Sequence, residues 1–220
     1  MKLLAIDTAT EACSAALFLD GELSSRYEFA PRQHSELILP MVDALLAEAE
    51  IKLSNLDCLA FGRGPGAFTG VRIAAGVIQG LAFAVDLPVI PISTLAILAQ
   101  GAVHQSDHIL SAIDARMGEV YWGLFQRRQD VVAAVGEESV TKPEQVTASS
   151  DCQWFGIGSG WKTYAQELQQ AINGNLIGHK GDAWPHARDI IPLAIRAYAA
   201  GAAVPAEQAL PVYLRNRVTG

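Results

Sequence analysis

Two aspartates, Asp7 and Asp114, stand in matching surroundings: Leu4-Ala-Ile-Asp-Thr8 and Ser111-Ala-Ile-Asp-Ala115. Nine residues after the first begins Ala16-Leu17-Phe18, and nine after the second begins Gly123-Leu124-Phe125. A carboxylate at the end of a strand can order a magnesium ion and its water beside a phosphate. A glycine two residues on then lets backbone N–H groups approach that phosphate. Here the residue two on is Ala9 in one copy and Arg116 in the other. The carboxylates are present and the bare backbone is not, which points to a weakened or absent phosphate grip. The plainer alternative is that both are turn or strand-end residues satisfied by local N–H groups.

Other residues with chemical potential are few. Gly156-Ile-Gly-Ser-Gly160 lies between an apolar run and a helical pattern, where a helix N-terminus can hold phosphate. It lacks the spacing of a dinucleotide fingerprint and reads as a tight turn. His104 and His108 are four apart, as two metal ligands on a helix would be, but a third ligand is not evident and an exposed pair is expected. Neither a serine nor a cysteine shows triad-like local spacing. Cys13, Cys58 and Cys152 are odd in number and far apart, so reduced thiols are expected. With 16 basic and 23 acidic residues, net charge −7, the chain lacks the cations to hold RNA phosphates by itself. Half of its 220 residues are hydrophobic and 18% charged, as in a globular protein of one large or two small domains. Apolar stretches are broken well short of the ~20 residues that span a bilayer, and the N-terminal apolar run is too short for a signal peptide. The expectation is a soluble cytoplasmic protein with no membrane segment.

The element that organises the chain is residues 61–84. Residues 56–61 read as a buried strand, and Gly62, Gly64, Pro65 and Gly66 as a tight loop. Thr69 is the expected N-cap of the helix that follows. That helix carries Gly76 and Gly80 four apart, with Ala84 four beyond. Each glycine costs a helix about 1 kcal/mol relative to alanine. Close approach of another helix is the usual compensation, and the sequence leaves open whether that helix is internal or a partner's.

Before this stretch, residues 3–6, 12–19 and 22–29 read as an antiparallel meander with a turn at Asp20-Gly21. Ser35 is the expected cap of a helix bearing Leu37, Ile38, Met41, Val42, Leu45 and Leu46 as one broad apolar stripe, kinked at Pro40. After it, residues 87–92 read as a buried strand, and Ser93 as the cap of a helix to about residue 103. This alternation predicts a mixed sheet, antiparallel at one side and parallel where crossovers occur. The fixed register of the repeat around Asp7 and Asp114 favours a duplication, with domains at 1–103 and 104–220. The second half holds short strands near 131–135, 138–141 and 153–155 and a helix at 161–172. A last helix, capped by Asp189, is able to pack back on the first lobe. The tail ends in polar residues expected to be loose.

Four segments together resemble the bacterial TsaB (YeaZ) family: Leu4-Ala-Ile-Asp-Thr, Gly64-Pro-Gly-Ala-Phe-Thr-Gly-Val-Arg-Ile73, Ile113-Asp-Ala-Arg-Met-Gly-Glu-Val-Tyr121 and Tyr213-Leu-Arg215. The Gly-Pro-Gly-x-Phe-Thr-Gly-x-Arg signature is specific, and Ala67 stands where serine is commoner. The resemblance implies an α/β, actin-like (ASKHA, ribonuclease H-like) duplicated two-lobe fold with mixed sheets flanked by helices. It also implies a part in making threonylcarbamoyladenosine on tRNA, as a scaffolding and activating subunit with no catalysis of its own. The implied partners are a TsaD-type catalytic subunit, a TsaE-type ATPase and, in isolation, a second copy of the chain, with tRNA reached only through the complex. The transferase carries a metal-binding H-x-x-x-H just after the strand that here ends at Ile92. The corresponding Ser93-Thr-Leu-Ala-Ile-Leu98 has no histidine.

No catalytic or metal residue is assigned, and Asp7 and Asp114 are vestigial. The isolated chain is expected to hold no cofactor, with a nucleotide conceivable where it meets its partner. Partner binding is expected of Leu37, Ile38, Met41 and Leu45 on the first helix and of Val71, Arg72, Gly76 and Gly80 on the second. The competing readings are an active actin-like ATPase or a glycoprotease-like metallopeptidase.

Overall fold

The computed structural model describes residues 1–215. Residues 216–220, the part of the tail expected to be loose, lie outside the described residues. The chain forms two compact units, one of Met1–Ile97 with Pro185–Val212 and one of Leu98–Trp184 with the tail from Tyr213. The division therefore falls inside a helix, rather than at 103/104, and the last helix belongs to the first unit.

In the first unit, β1 (Lys2–Asp7), β2 (Ala12–Leu19) and β3 (Glu22–Phe29) form the expected meander. Asp20 and Gly21 both take positive φ, 50° and 113°, the turn whose twist matches the strands it joins. Then follow α1 (His34–Glu48), β4 (Cys58–Gly62), α2 (Phe68–Val85), β5 (Val89–Ile92) and α3 (Thr94–Gly101). The sheet runs β3-β2-β1-β4-β5, with β1, β4 and β5 parallel. Leu4 and Ile6 of β1 and Cys13, Ala15 and Leu17 of β2 share a core with α1 and α2. The alternate residues face the other way. There α6 (Ala187–Ala199) packs on β1, β2, β4 and β5, and Ala187 N donates to Ser14 Oγ at 2.9 Å.

Helix starts were legible only in part. Ser93 Oγ accepts from Leu95 N at 3.2 Å, the expected cap of α3. Ser35 and Thr69 do not cap; α1 and α2 begin after Gln33 and Ala67 with no side-chain cap bond. Nor does Asp189, which lies in the first turn of α6. The cap is His186, whose Nδ1 accepts from Arg188 N at 3.1 Å. Burial, with the Arg188 cation beside it, pushes the His186 imidazole down to about 4 and so keeps its lone pair available.

The second unit repeats the plan. β6 (His108–Arg116), β7 (Glu119–Arg128), β8 (Val131–Ala134), β9 (Ser139–Thr141), β10 (Trp154–Ile157) and β11 (Leu176–Lys180) form a sheet of order β11-β10-β6-β7-β8, with β9 also on β7. Parallel β11-β10-β6 matches β5-β4-β1, and antiparallel β7 and β8 match β2 and β3. The single helix expected at 161–172 is two, α4 (Ser159–Thr163) and α5 (Ala165–Ala171), parted by Tyr164 at φ −129°. The three glycines of 156–160 serve packing. A Cβ on Gly156 would lie 2.3 Å from the Trp161 indole, and one on Gly160 2.8 Å from Ala112 Cβ. Trp161 is itself fully buried and donates Nε1–H to Leu110 O at 3.0 Å. Gly156→Ala should therefore cost about 3 kcal/mol, since neither indole nor strand can yield. A urea titration followed by tryptophan fluorescence measures it.

Candidate functional site

Asp7 ends β1 and is fully buried. Its Oδ1 accepts from Ala9 N at 3.1 Å, the local turn bond anticipated for it, and its Oδ2 has no hydrogen-bond partner among the described residues. The space beside Oδ2 belongs to Gly62, where a Cβ would stand 1.8 Å from it. The signature loop closes over the same turn. Ala67 N donates to Ala9 O at 2.7 Å. Thr8 Oγ1 donates to Gly70 O at 2.7 Å. A Cβ on Gly66 would lie 2.2 Å from Ala9 O, and one on Gly70 2.1 Å from Thr8 O. These glycines let backbone meet backbone within the chain. The place where phosphate would approach is taken by Ala9, buried under residues 66–67. The residues present do not fit a magnesium–phosphate group at Asp7. Desolvation raises the Asp7 carboxyl to about 7, the Ala9 N–H bond offsetting part of the effect.

Asp114 repeats the turn in the second unit and in a different setting. Its Oδ1 accepts from Arg116 N at 2.8 Å, and the Arg116 guanidinium stands 3.4 Å from Oδ2. Arg116, Met117 and Gly118 take φ of 65°, 57° and 75°, a left-handed tip with Met117 exposed. Arg215 of the Tyr213-Leu-Arg215 motif forms an ion pair with Glu119 and lies over the Tyr121 ring at 5.9 Å.

The remaining chemical candidates disperse. His104 is exposed, while His108 is half-buried, edge-on to Trp154 at 5.4 Å. Among the described residues, no three of His, Cys, Asp and Glu gather as metal ligands would. Burial pushes the Cys13 and Cys58 thiols up to about 12, so neither is a nucleophile at neutral pH.

The helix faces sort the expected partner residues. Ile38, Met41 and Leu45 are buried in the core of their own unit, and Val71 is buried as well. The partner surface expected of these four is thus corrected: their side chains already pack inside the unit. Leu37 is partly buried against the same core. Arg72, Gly76 and Gly80 are exposed, and a Cβ on either glycine would meet nothing within 4 Å. Helical spacing sets them in one stripe with Phe68 and Phe83, which are 59% and 63% exposed. α2 has the length and apolar composition of a membrane-crossing helix, yet its inner side, including Ala74, Ile78 and Ala82, is core. A groove of about 320 Å³ opens at the end of the stripe, lined by Phe83, Asp86, Leu87, Pro88, Val204 and Glu207.

The family described as "TsaD: tRNA N6-adenosine threonylcarbamoyltransferase" matches residues 27–218. The chain is 44% identical to the tRNA threonylcarbamoyladenosine biosynthesis protein TsaB of Escherichia coli, over 99% of this chain and 96% of that one. It is 44% identical to the Haemophilus influenzae protein of the same name, over 100% and 95%. The solved structure of YeaZ from Pseudomonas aeruginosa superimposes with a TM-score of 0.91 at 51% identity, over 97% of this chain and 99% of that one.

The Asp7 environment sets a pH dependence. The unfolded carboxyl releases its proton near 3.8, the folded one near 7. Between these the folded state binds more protons, so stability falls as pH rises, by on the order of 4 kcal/mol in total. Asp7→Asn should flatten that slope. Denaturation midpoints from pH 4 to pH 8 should drop less in the variant than in the wild type.

Proposed function

The chain belongs to the TsaB (YeaZ) family, and we propose that it serves tRNA threonylcarbamoyladenosine biosynthesis as a non-catalytic subunit that docks through the outer face of α2. The observation that carries this reading is the pair Gly76 and Gly80, exposed with open space above them. Two helical glycines forgo about 2 kcal/mol of helix stability against alanine. Nothing within the first unit approaches them closely enough to compensate. A partner helix packed backbone-close does so, and the flanking Phe68 and Phe83 supply apolar area on either side.

The partner in this reading is the TsaD-type transferase, and a second copy of the chain takes the same face when the transferase is absent. The two assemblies therefore compete. A TsaE-type ATPase joins the heterodimer, and tRNA is held by the complex, in keeping with the net charge of −7. A nucleotide, where one is bound, sits with groups from both partners. The non-catalytic part of the reading rests on the Asp7 turn, whose Ala9 carbonyl is taken by Ala67 and whose carboxylate is buried.

Gly80→Leu tests the face without disturbing the core, because the added side chain enters open space. It should reduce capture of the transferase subunit in a pull-down by about tenfold or more and leave the melting temperature of the free chain unchanged or raised. Met41→Glu would not serve, since Met41 is buried. Undiminished capture by Gly80→Leu would sink the docking reading. Titration of the isolated chain with Mg-ATP addresses the competing ATPase: no heat of binding is expected at micromolar concentrations, and binding with turnover would favour an enzyme.

A further inference from the structure

β3 is an edge strand of the sheet in the first unit, and its two faces differ. Arg26 forms an ion pair with Glu48 of α1, so Glu22, Ser24, Arg26 and Glu28 lie on the α1 side. Tyr27 lies on the opposite side, where its ring stacks on the His186 imidazole with centroids 4.9 Å apart and planes at 19°. Alternation sets Phe29 beside Tyr27, about 6.8 Å along the strand. The two residues are 42% and 53% exposed. Arginines flank the pair. Arg188 is exposed, donates its backbone N–H to the His186 ring and meets Asp189 through Nε at 3.7 Å. Arg32, exposed at a φ of 71°, sits in the turn that Gln33 N closes on Ala30 O at 3.1 Å. Glu28, the carboxylate between the two rings in sequence, belongs to the α1 side.

We propose that Tyr27 and Phe29 form a stacking platform for two unpaired bases of tRNA, with Arg188 and Arg32 meeting phosphates at either end. The proposal rests on the reading that the chain works within a tRNA-modifying complex, and it adds a place where this chain touches the nucleic acid. Unpaired nucleotides are held by stacking their bases on aromatic planes, and a strand that shows aromatics at alternate positions offers two such planes in a row. One column has already begun here. His186, uncharged at neutral pH, underlies Tyr27, and a base laid on Tyr27 continues it. Aromatic area alone would suit a protein partner. Guanidinium groups at both ends of that area, in a chain of net charge −7, select a polyanion instead. The same net charge limits what the platform does unaided. It orients two bases, while the partner supplies most of the attraction for phosphate.

Fluorescence anisotropy of labelled tRNA, titrated with the assembled complex of the full-length chain and the transferase subunit, tests the platform. Phe29→Leu keeps an apolar side chain and removes the plane. It should weaken tRNA binding about tenfold, whereas Phe29→Trp should bind as tightly as wild type or tighter. Arg188→Gln and Arg32→Gln should each reduce the slope of log Kd against log salt by about one. Ultraviolet irradiation of the complex should cross-link RNA to the tryptic peptide of residues 27–32. All four variants should capture the transferase as wild type does and keep its melting temperature. Phe29→Leu binding tRNA like wild type, in a complex that still assembles, would overturn the platform and leave the docking reading standing. Loss of transferase capture by Phe29→Leu, with the melting temperature unchanged, would make this face a protein contact and overturn the platform as well. A wild-type complex with no affinity for tRNA would overturn the platform together with the reading beneath it.

Discussion

The fold of the first unit hinges on one backbone contact, the closure of the signature loop over the Asp7 turn. Ala67 N reaches Ala9 O, and Gly66 and Gly70 let the two segments meet with no side chain between them. That contact has two consequences. It seats Ala9 beneath residues 66–67, and Asp7 lies buried with Oδ2 lacking a hydrogen-bond partner among the described residues. It also fixes where α2 begins, and so which residues of α2 turn inward to the sheet and which turn outward. Sealing the Asp7 turn and setting which face of α2 turns outward are thus two outcomes of the same few atoms.

The duplication makes this easier to see. Both halves share strand order and sense, and both hairpins carry an aspartate whose Oδ1 accepts the N–H two residues on. The surroundings have diverged. In the first unit the turn is sealed by a loop that launches a helix of 18 residues. In the second, β10 is followed by Gly158 and two short helices, and the hairpin tip stays exposed, with Arg116 pairing its own aspartate. The architecture is kept in both halves, while in the first the backbone groups of the aspartate turn bond inside the chain.

Much of this was legible in the sequence where the cause is local. Asp20-Gly21 marked a hairpin, Ser93 marked a helix start, and the repeat around Asp7 and Asp114 marked the two matching sheets. Family membership was legible from the Gly-Pro-Gly-x-Phe-Thr-Gly-x-Arg stretch. What failed depends on distant segments. Thr69 looked like a cap, but the bond from Ala67 to Ala9 starts the helix earlier. The stripe on α1 was correct as a stripe, yet periodicity cannot say how far a core extends, and Ile38, Met41 and Leu45 lie within it. The groove beside Phe83 is invisible to any local reading because half of its wall is residues 203–207, which return from the far end of the chain. The strand β11 escaped because its residues are mostly polar or exposed and lack clear alternation.

The central claim is that this chain assists a reaction it does not perform. Its most direct test is threonylcarbamoyl transfer to tRNA by the reconstituted system, with Asp7 and Asp114 both replaced by asparagine and the variant supplied at saturation. The expected result is a turnover equal to that with the wild-type chain. An assembled complex whose turnover falls a hundredfold would contradict the account, because it would place one of these carboxylates in the chemistry.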